Sequence, residues 1–570
     1  MLAYLSYTPR YFLWMLSNLR RRLRRPPDYI LFIVDDTYLE LRPPRGSFWQ
    51  RRLFPPKPSL QELSEQFRAV AGDSRTRGVV LHIRQLRMTP AHVQTLRDLI
   101  HDLRAAGKRV VVWSSNYDHA GYHVACAADE ILLQTGGSVL PLGISRRFLF
   151  LVEALERLGV EANFIQVSPY KSAADILTRS SMSDEMRENV GWLMDSLHAD
   201  FIRDIAEGRH LDEEGAKALV DHAPYTDLKA AEASVVDKLV SEEDLPAYLG
   251  SIAKPARLSP WEGAHKRLLR PPIATPGCYI ALLRIEGVIV DGKSQPPPLN
   301  SLVPVPFLLD QRAGDLSVVQ QVRQVLADKS AAAVVVYVNS PGGSATASEA
   351  VAAALEKVAT KKHLVVSMGP VAGSGGYYIS SPAHWIVAQS GSITGSIGVL
   401  SGKIVTTGLL DRLLLHRETI SRGQHITLYH SERLFSEEER KVVWEFIKRI
   451  YDVFLERVSV ARKMTVEEVD SVGGGRVWTG RQALERRLVD ELGGLDKALA
   501  KARQLADLHP RAPIREVRAS KQQLTPPIAE PAALVQYALE GLRMLNRPGG
   551  LCLCPLIWRG IQDNVLLSLE

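Results

Sequence analysis

The sequence predicts an α/β fold in which a mostly parallel sheet flanked by helices occurs twice along the chain. Three observations predict it. Uninterrupted apolar runs such as Ala331–Val338 stop at glycine-rich loops, as buried parallel strands do. Helical patterns with apolar residues at i, i+3, i+4 and i+7 alternate with these runs. Many of these segments recur at an offset near 255 residues, which indicates an internal repeat.

The strand-like segments of the two halves align one by one. From Asp129 to His384 the offset is 384 − 129 = 255 residues. The aligned pairs, first half before second, are Tyr29–Val34 and Ile280–Ile285, Arg77–Ile83 and Ala331–Val338, Arg109–Trp113 and Leu364–Ser367, Ala128–Ile131 and Ala383–Ile386, and Leu142–Ile144 and Ile397–Val399. Each pair predicts the same strand or turn in both halves.

A long helix follows in each half. Ser183 and Ser436, 436 − 183 = 253 residues apart, each precede an acid-rich first turn, as N-cap residues do. The apolar residues of the second of these helices recur at the spacing of a buried face, which predicts that they lie in the core. They are Val443, Phe446, Ile447, Ile450 and Phe454.

The repeat and the composition between its copies divide the chain. The predicted divisions are residues 1–27, an amphipathic N-terminal segment; 28–245, the first repeat; 246–276, a linker; 277–505, the second repeat; and 506–570, a C-terminal extension. The extension contains a predicted helix at Ala532–Leu545 and shows no counterpart in the first half.

Composition sets broad bounds on function. At 570 residues with 46% hydrophobic content, the chain is long enough for more than one core. The net charge of +7 owes much to the arginines within residues 20–25, so no nucleic-acid-binding surface is indicated. The cysteines Cys126, Cys278, Cys552 and Cys554 lack CxxC spacing, so we expect neither a disulfide framework nor a metal site. No stretch indicates a nucleotide or an organic cofactor.

The N-terminal segment is apolar but interrupted. Pro9 and Arg10 break Leu2–Leu19, so it has no run of about 18 apolar residues that would span a membrane. Aromatic and leucine residues followed by arginines suit a helix lying on an anionic membrane surface, with residues 1–25 in contact. A helix packed on the rest of the protein, or on another subunit, is the alternative. Both interpretations stay open at this level.

The candidate site is built around Ser374. It lies in Gly373–Gly376, after the second of two buried strands, and Gly342 and Gly343 follow the first. Open α/β sheets bind ligands at the ends of such strands. Glycines let the backbone approach a substrate, and two N–H donors are what an oxyanion site needs. We therefore expect Gly342 or Gly343, together with Gly375, to be donors. A helix over Glu349–Val358 is predicted between the loops.

The two halves differ at the site. The position 255 residues before Ser374 is His119, so the first half lacks the serine. Conversely, Lys171 has Gln424 at its equivalent position, 253 residues later. A lysine in one half and a serine in the other indicate complementary parts of one site.

The order of these motifs resembles the signal peptide peptidase A (protease IV) family in its long, duplicated bacterial form, within the ClpP/crotonase superfamily. The resemblance runs from Asp28 to about Gln504 and implies two tandem ClpP/crotonase-like repeats. The matching blocks are NSPGGS at Asn339–Ser344, the serine block Gly373–Tyr378, TGSIGV at Thr394–Val399, YKSA at Tyr170–Ala173, and RVWTGRQA to LVDELGG between Arg476 and Gly494.

This resemblance implies roles for individual residues. Ser374 is expected to be the nucleophile, Lys171 its general base, and Ser396 the hydrogen-bonding partner of the lysine amine. The implied activity is that of a serine endopeptidase that cleaves released signal peptides and unfolded apolar peptides. A homo-oligomeric ring such as a tetramer is implied, as is association with the bacterial inner membrane, on a side that stays open. Gly373 departs from the alanine usual in the family.

Other interpretations remain at this level. A crotonase-like acyl-CoA enzyme would share the glycine loops but would need neither Lys171 nor Ser374. A catalytically silent scaffold would keep the repeat and lose the dyad. A lysine is a base near neutral pH only when burial lowers its pKa from about 10.4, and most lysines are solvated. His384 is the alternative base if Lys171 is on the surface.

Overall fold

A computed structural model of the chain describes residues 2–43, 56–140, 142–296, 311–518, 537 and 549–554. The strands are β1 Tyr29–Asp36, β2 Gly78–Leu86, β3 Arg109–Tyr117, β4 Glu130–Val139, β5 Glu161–Gln166, β6 Tyr225–Thr226, β7 Lys238–Leu239, β8 Leu258–Pro260, β9 Tyr279–Glu286, β10 Val288–Val290, β11 Arg312–Gly314, β12 Ala331–Ser340, β13 Gly342–Ser344, β14 His363–Gly373, β15 Trp385–Ala388, β16 Ile393–Gly395, β17 Leu400–Val405, β18 Val477–Thr479, β19 Glu491–Leu492, β20 Ile514–Glu516 and β21 Leu551–Leu553.

Helices connect and cover these strands. They are α1 Leu2–Arg22, α2 Leu60–Ala71, α3 Pro90–Ala105, α4 His119–Ala125, α5 Val152–Arg157, α6 Asp175–Thr178, α7 Asp184–Arg209, α8 Glu213–Asp221, α9 Asp227–Glu232, α10 Leu245–Leu249, α11 Trp261–Ala264, α12 Asp315–Ala327, α13 Ala345–Ala359, α14 Gly375–Ser380, α15 Thr407–Arg412, α16 Glu437–Arg462, α17 Val466–Val472, α18 Gly480–Glu485 and α19 Leu495–Leu505. Short 3₁₀ turns occur at Ser172–Ala174 and Glu242–Asp244.

Two large sheets have the same strand order. The first runs β6-β4-β3-β2-β1-β8, with β7 beside β4, and the second runs β18-β16-β14-β12-β9-β20, with β15 between β14 and β19. The central pairs β1–β2 and β9–β12 are parallel, as are β2–β3 and β12–β14. The strands of each sheet come from one half of the chain. The predicted duplication of a mostly parallel sheet is confirmed.

The repeat extends further than the sequence pattern indicated. Within the predicted linker, β8 pairs in parallel with β1, and within the predicted extension, β20 pairs in parallel with β9. These strands begin 514 − 258 = 256 residues apart. The expectation that the extension lacks a counterpart is therefore wrong for its first residues. A strand of three residues is too short to show a hydrophobic period, which explains the miss.

The long helices α7 and α16 begin where their N-cap serines predict. The Ser183 and Ser436 hydroxyls accept hydrogen bonds from the backbone N–H groups of Met186 and Glu439. On α16, Val443, Ile447 and Phe454 are buried, as expected from the pattern. The prediction is wrong for Phe446, which is 49% exposed.

A third sheet joins the two repeats. Its order is β11-β10-β13-β21-β17-β5, so it combines strands of both repeats and of the extension. The β5 strand of the first repeat pairs antiparallel with β17 of the second along its whole length, from Glu161 opposite Val405 to Gln166 opposite Leu400. This pairing delivers the chain that follows β5 to the second repeat.

The N-terminal helix α1 has a docked side and an exposed side. Trp14 Nε1 donates to Pro271 O at 2.9 Å, and Arg21 Nη1 donates to Leu268 O at 2.6 Å. Several apolar side chains are exposed: Tyr11, Phe12, Leu13, Met15, Leu19 and, just after the helix, Leu23. Among the described residues, no helix has both the length and the apolar character needed to cross a membrane. The helix predicted at Ala532–Leu545 lies outside the described residues except for Tyr537.

Candidate active site

Ser374 lies at a sharp turn from strand to helix. Strand β14 ends at Gly373 and helix α14 begins at Gly375, so β14 is longer than the predicted Leu364–Ser367. The Ser374 backbone has φ 54° and ψ −113°, in a region that residues with a side chain rarely adopt. A strained serine at such a turn is the arrangement by which hydrolases present a nucleophile at the edge of a sheet.

Lys171 reaches Ser374 from the other repeat. It follows β5, whose pairing with β17 places it beside the end of β16. Its Nζ lies 2.7 Å from Ser374 Oγ, 2.7 Å from Ser396 O and 2.9 Å from Ser396 Oγ. The three residues singled out from the sequence are thus in direct contact.

The site is fully buried. The side chains of Lys171, Ser374 and Ser396 are each 0% exposed. Burial lowers the pKa of Lys171 from its ordinary value near 10.5 to about 8, because the charged amine loses its hydration. A substantial fraction of the amine is therefore neutral near physiological pH, and a neutral amine accepts a proton.

Two glycines for which the sequence indicated no role make room for the lysine. A Cβ on Gly475 would lie 2.5 Å from Lys171 N, and Gly475 has φ 86°, which favours glycine. A Cβ on Gly398 would lie 3.2 Å from Lys171 Cδ. The run of three glycines at Gly473–Gly475 is the sequence signal that could have identified this contact.

The two glycine loops meet beside Ser374. Gly342 and Gly343 have φ values of 102° and 152°, so both favour glycine. A Cβ on Gly375 would lie 3.0 Å from Gly342 Cα and 3.2 Å from Gly343 N. The Gly342 N–H donates to Ser340 Oγ at 3.1 Å. Helix α13 begins at Ala345, four residues before the predicted Glu349, and its N-cap Ser344 fixes the end of the first loop.

The alternative candidates lie elsewhere. His384 Nδ1 accepts a hydrogen bond from Leu364 N at 3.1 Å, and among the described contacts none joins His384 to Ser374. His119 begins α4 directly after β3, at the position equivalent to Ser374, and its ring packs 4.1 Å from that of Phe201. Burial lowers the pKa of His119 to about 3, so it stays neutral. Gln424 is exposed.

Residues 102–253 and 356–509, one segment in each repeat, match peptidase family S49. The chain is 31% identical over 468 residues to Protease 4 of Salmonella typhi, covering 79% of this chain and 72% of that protein. It is 29% identical over 465 residues to Protease 4 of Haemophilus influenzae, covering 76% and 71%. It is also 29% identical over 459 residues to the chloroplastic serine protease SPPA of Arabidopsis thaliana, covering 79% and 66%.

Proposed function

The chain belongs to peptidase family S49 and is a serine peptidase, and on this premise we propose that Ser374 is its nucleophile and Lys171 its general base. The observation that carries the proposal is the 2.7 Å contact between Lys171 Nζ and Ser374 Oγ. Burial of the amine supports it, because a base must be neutral to accept a proton.

The proposed reaction is acyl transfer in two steps. The neutral Lys171 amine takes the Ser374 hydroxyl proton as Oγ attacks the peptide carbonyl carbon. The resulting ammonium gives a proton to the departing amine, which leaves an acyl-enzyme on Ser374. Water then attacks the carbonyl carbon of the ester while the amine takes a proton from it. The bond between that carbon and Ser374 Oγ breaks, the ammonium returns the proton to Oγ, and the carboxylic acid product leaves. Ser396 holds the amine in place through its hydroxyl and its carbonyl oxygen.

The glycine loops are proposed to stabilise the oxyanion. Backbone N–H groups aimed at the developing charge act strongly in a site that excludes water. The Gly342 N–H already donates to Ser340 Oγ, so the close approach of Gly375 to Gly343 supports these two residues as the pair of donors, one from each loop. The alternatives, a crotonase-like acyl-CoA enzyme and a silent scaffold, are not favoured by the family or by the relatives.

The substrates proposed are released signal peptides and unfolded apolar segments. A relative from Enterococcus faecium, 35% identical over 182 residues, is named a putative signal peptide peptidase. An apolar cluster of Ala173, Val288, Val290 and Leu400, of which Ala173 is two residues from Lys171, supports a preference for apolar side chains.

Two further proposals concern location and assembly. The exposed apolar side of α1 and the arginines of its last turn suit a peripheral contact with an anionic membrane surface. A homo-oligomeric ring is proposed from the family resemblance. The exposed Trp444 and Phe446 on α16 offer apolar surface that a second copy would cover. Light scattering of the purified protein measures the number of protomers.

A fluorophosphonate probe tests the proposed nucleophile. The intact protein should be labelled, and mass spectrometry should place the probe on Ser374. Ser374→Ala should fold and remain unlabelled. Ser381→Ala is the matched control, because Ser381 is equally buried and only seven residues away, yet its hydroxyl donates to Tyr378 O. Labelling that persists in Ser374→Ala would exclude Ser374 as the nucleophile.

A further inference from the structure

Strand β21 lies between strands that belong to the two sides of the candidate site. It pairs antiparallel with β13, with Leu553 opposite Gly342 and Cys552 opposite Gly343. It also pairs antiparallel with β17, where Leu551 lies opposite Leu400. Because β13 and β17 are not neighbours in the sheet, β21 bridges the first glycine loop and the strand that carries the Lys171 side of the site.

Backbone hydrogen bonds continue beyond the strand pairs. Ala345 N donates to Gly550 O at 3.1 Å, and Cys554 N donates to Pro341 O at 2.8 Å. Residues 550–554 therefore lie along the whole loop from Pro341 to Ala345. A peptide that adds as a strand to a sheet edge binds through such main-chain bonds, and its alternate side chains enter pockets.

The side chains of this segment alternate between two environments. Leu551 and Leu553 pack into the apolar cluster that also contains Ala173, Val288, Val290 and Leu400. The Cys552 side chain lies close to the Lys171 amine, with which it interacts electrostatically. A Cβ on Gly373 would lie 3.1 Å from Cys554 Sγ. The four side chains are buried, and the two thiols are 0% exposed.

We propose that residues 551–554 act as a tethered inhibitor that occupies the peptide-binding groove and must leave before a substrate can bind. This inference rests on the proposed function, because the groove is defined by Ser374 and Lys171. The segment blocks the site, since Cys552 lies opposite Gly343 and Cys554 Sγ would be 3.1 Å from a Cβ on Gly373, the residue before Ser374. Peptides that replace it would carry apolar side chains at alternate positions, as Leu551 and Leu553 do.

A second contact holds the extension near the groove. The Arg312 guanidinium lies 3.7 Å from the centre of the Tyr537 ring and donates to Tyr537 O at 2.8 Å. Tyr537 is buried, and Arg312 begins β11, in the same sheet as β21. A tethered segment faces its site at an effective concentration of about millimolar, so a weak contact suffices to keep the groove occupied.

Kinetics of the full chain test the inhibition. The double variant Leu551→Glu, Leu553→Glu places two charges in the apolar cluster and should release the segment. If the segment fills the groove in nine of ten wild-type molecules, its release in the double variant should lower KM for an apolar peptide roughly tenfold, while kcat stays nearly constant. Leu228→Glu is the matched control, because Leu228 is exposed and lies on α9. A synthetic Gly549–Cys554 peptide should inhibit the double variant competitively.

Thiol labelling tests the docking without relying on catalysis. In full-length Ser374→Ala, iodoacetamide should modify the exposed Cys278 quickly, whereas Cys552 and Cys554 should be protected like the buried Cys126. The Leu551→Glu, Leu553→Glu substitutions should expose both thiols. Modification of Cys552 and Cys554 at the rate of Cys278 in the otherwise unchanged protein would overturn the inference and leave the peptidase proposal intact. If the Leu551→Glu, Leu553→Glu substitutions expose both thiols in a protein that retains Ser374, and that protein still hydrolyses no peptide, the proposed function is overturned instead.

Discussion

Lys171 Nζ lies 2.7 Å from Ser374 Oγ, although 203 residues separate the two in sequence. The pairing of β5 with β17 makes this contact, because it lays the segment of the first repeat that precedes Lys171 against the second repeat. Neither repeat contains both residues, since His119 and Gln424 occupy the equivalent positions. Among the residues that the structure describes, the duplication therefore supplies one proposed dyad within one chain, and not two.

The rate of hydrolysis should depend on the protonation of Lys171. Its amine is active only when neutral, so kcat/KM should rise with pH and level off above the lysine pKa of about 8. A series of initial rates from pH 6 to 10 with a peptide of constant charge measures this. An inflection near 6.5, the ordinary value for histidine, would instead indicate a histidine base.

The same shift should appear in the stability of the protein. Between pH 8 and 10.5 the unfolded chain holds a proton on Lys171 and the folded chain does not, so the free energy of unfolding rises with pH. Below pH 8 both states hold this proton, so the free energy of unfolding no longer changes with pH on account of Lys171, and the cost of the buried charge is at its largest. Lys171→Met removes the ionisable amine. The free energy of unfolding of the variant should therefore exceed that of the wild type by about 3 kcal/mol at pH 8, and this excess should disappear near pH 10.5. Urea unfolding at both pH values measures the difference in the free energy of unfolding between variant and wild type. The same difference at pH 8 and at pH 10.5 would contradict the lowered pKa of Lys171.

The Gly375→Ala variant should show how much the oxyanion site contributes to kcat, independently of Lys171 and Ser374. The new Cβ would lie 2.6 Å from Ser348 Oγ and 3.0 Å from Gly342 Cα, so the two loops must move apart. We expect kcat to fall by roughly 10²–10³, the usual effect of losing an oxyanion donor. Gly191→Ala, where a Cβ meets nothing within 4 Å, is the control. A normal kcat in Gly375→Ala would remove Gly375 from the site.

The exposed side of α1 should bind an anionic membrane surface. The double variant Phe12→Glu, Leu19→Glu replaces two exposed apolar side chains of α1 by charged ones. In a flotation assay it should no longer float with anionic vesicles. High salt should weaken binding of the unchanged protein, because the arginines after Leu19 contribute through screened charge. Trp14→Phe removes a contact with the linker and serves as the control for helix docking. Equal flotation of the double variant at low salt would leave only the packed-helix interpretation.

Local patterns predicted much of the fold. The repeat was visible because buried strands and N-cap serines leave periodic and compositional signals, and Ser183 and Ser436 cap helices as expected. Ser374 and Lys171 stood out because each occurs in only one half. The prediction failed for Phe446, because its part of α16 is apolar in sequence but exposed in the structure.

Contacts between distant segments were not predictable in this way. Nothing in Leu551–Cys554 indicates pairing with residues near 342 and 400, since strand partners are chosen by the fold and not by local period. Gly475 likewise acquires its importance only because Lys171 packs against it. The three-residue β8 and β20 are too short for any hydrophobic pattern.

The turnover of Lys171→Met tests the central claim most directly. Methionine keeps the length of the side chain and removes the base. Lys403→Met is the matched control, because Lys403 is also 0% exposed but donates to Leu428 O, away from the dyad. We predict that kcat/KM falls by several orders of magnitude in Lys171→Met, about as far as in Ser374→Ala, because the two residues act as a unit. Lys403→Met should keep its activity. Near-normal turnover by a folded Lys171→Met protein would contradict the account.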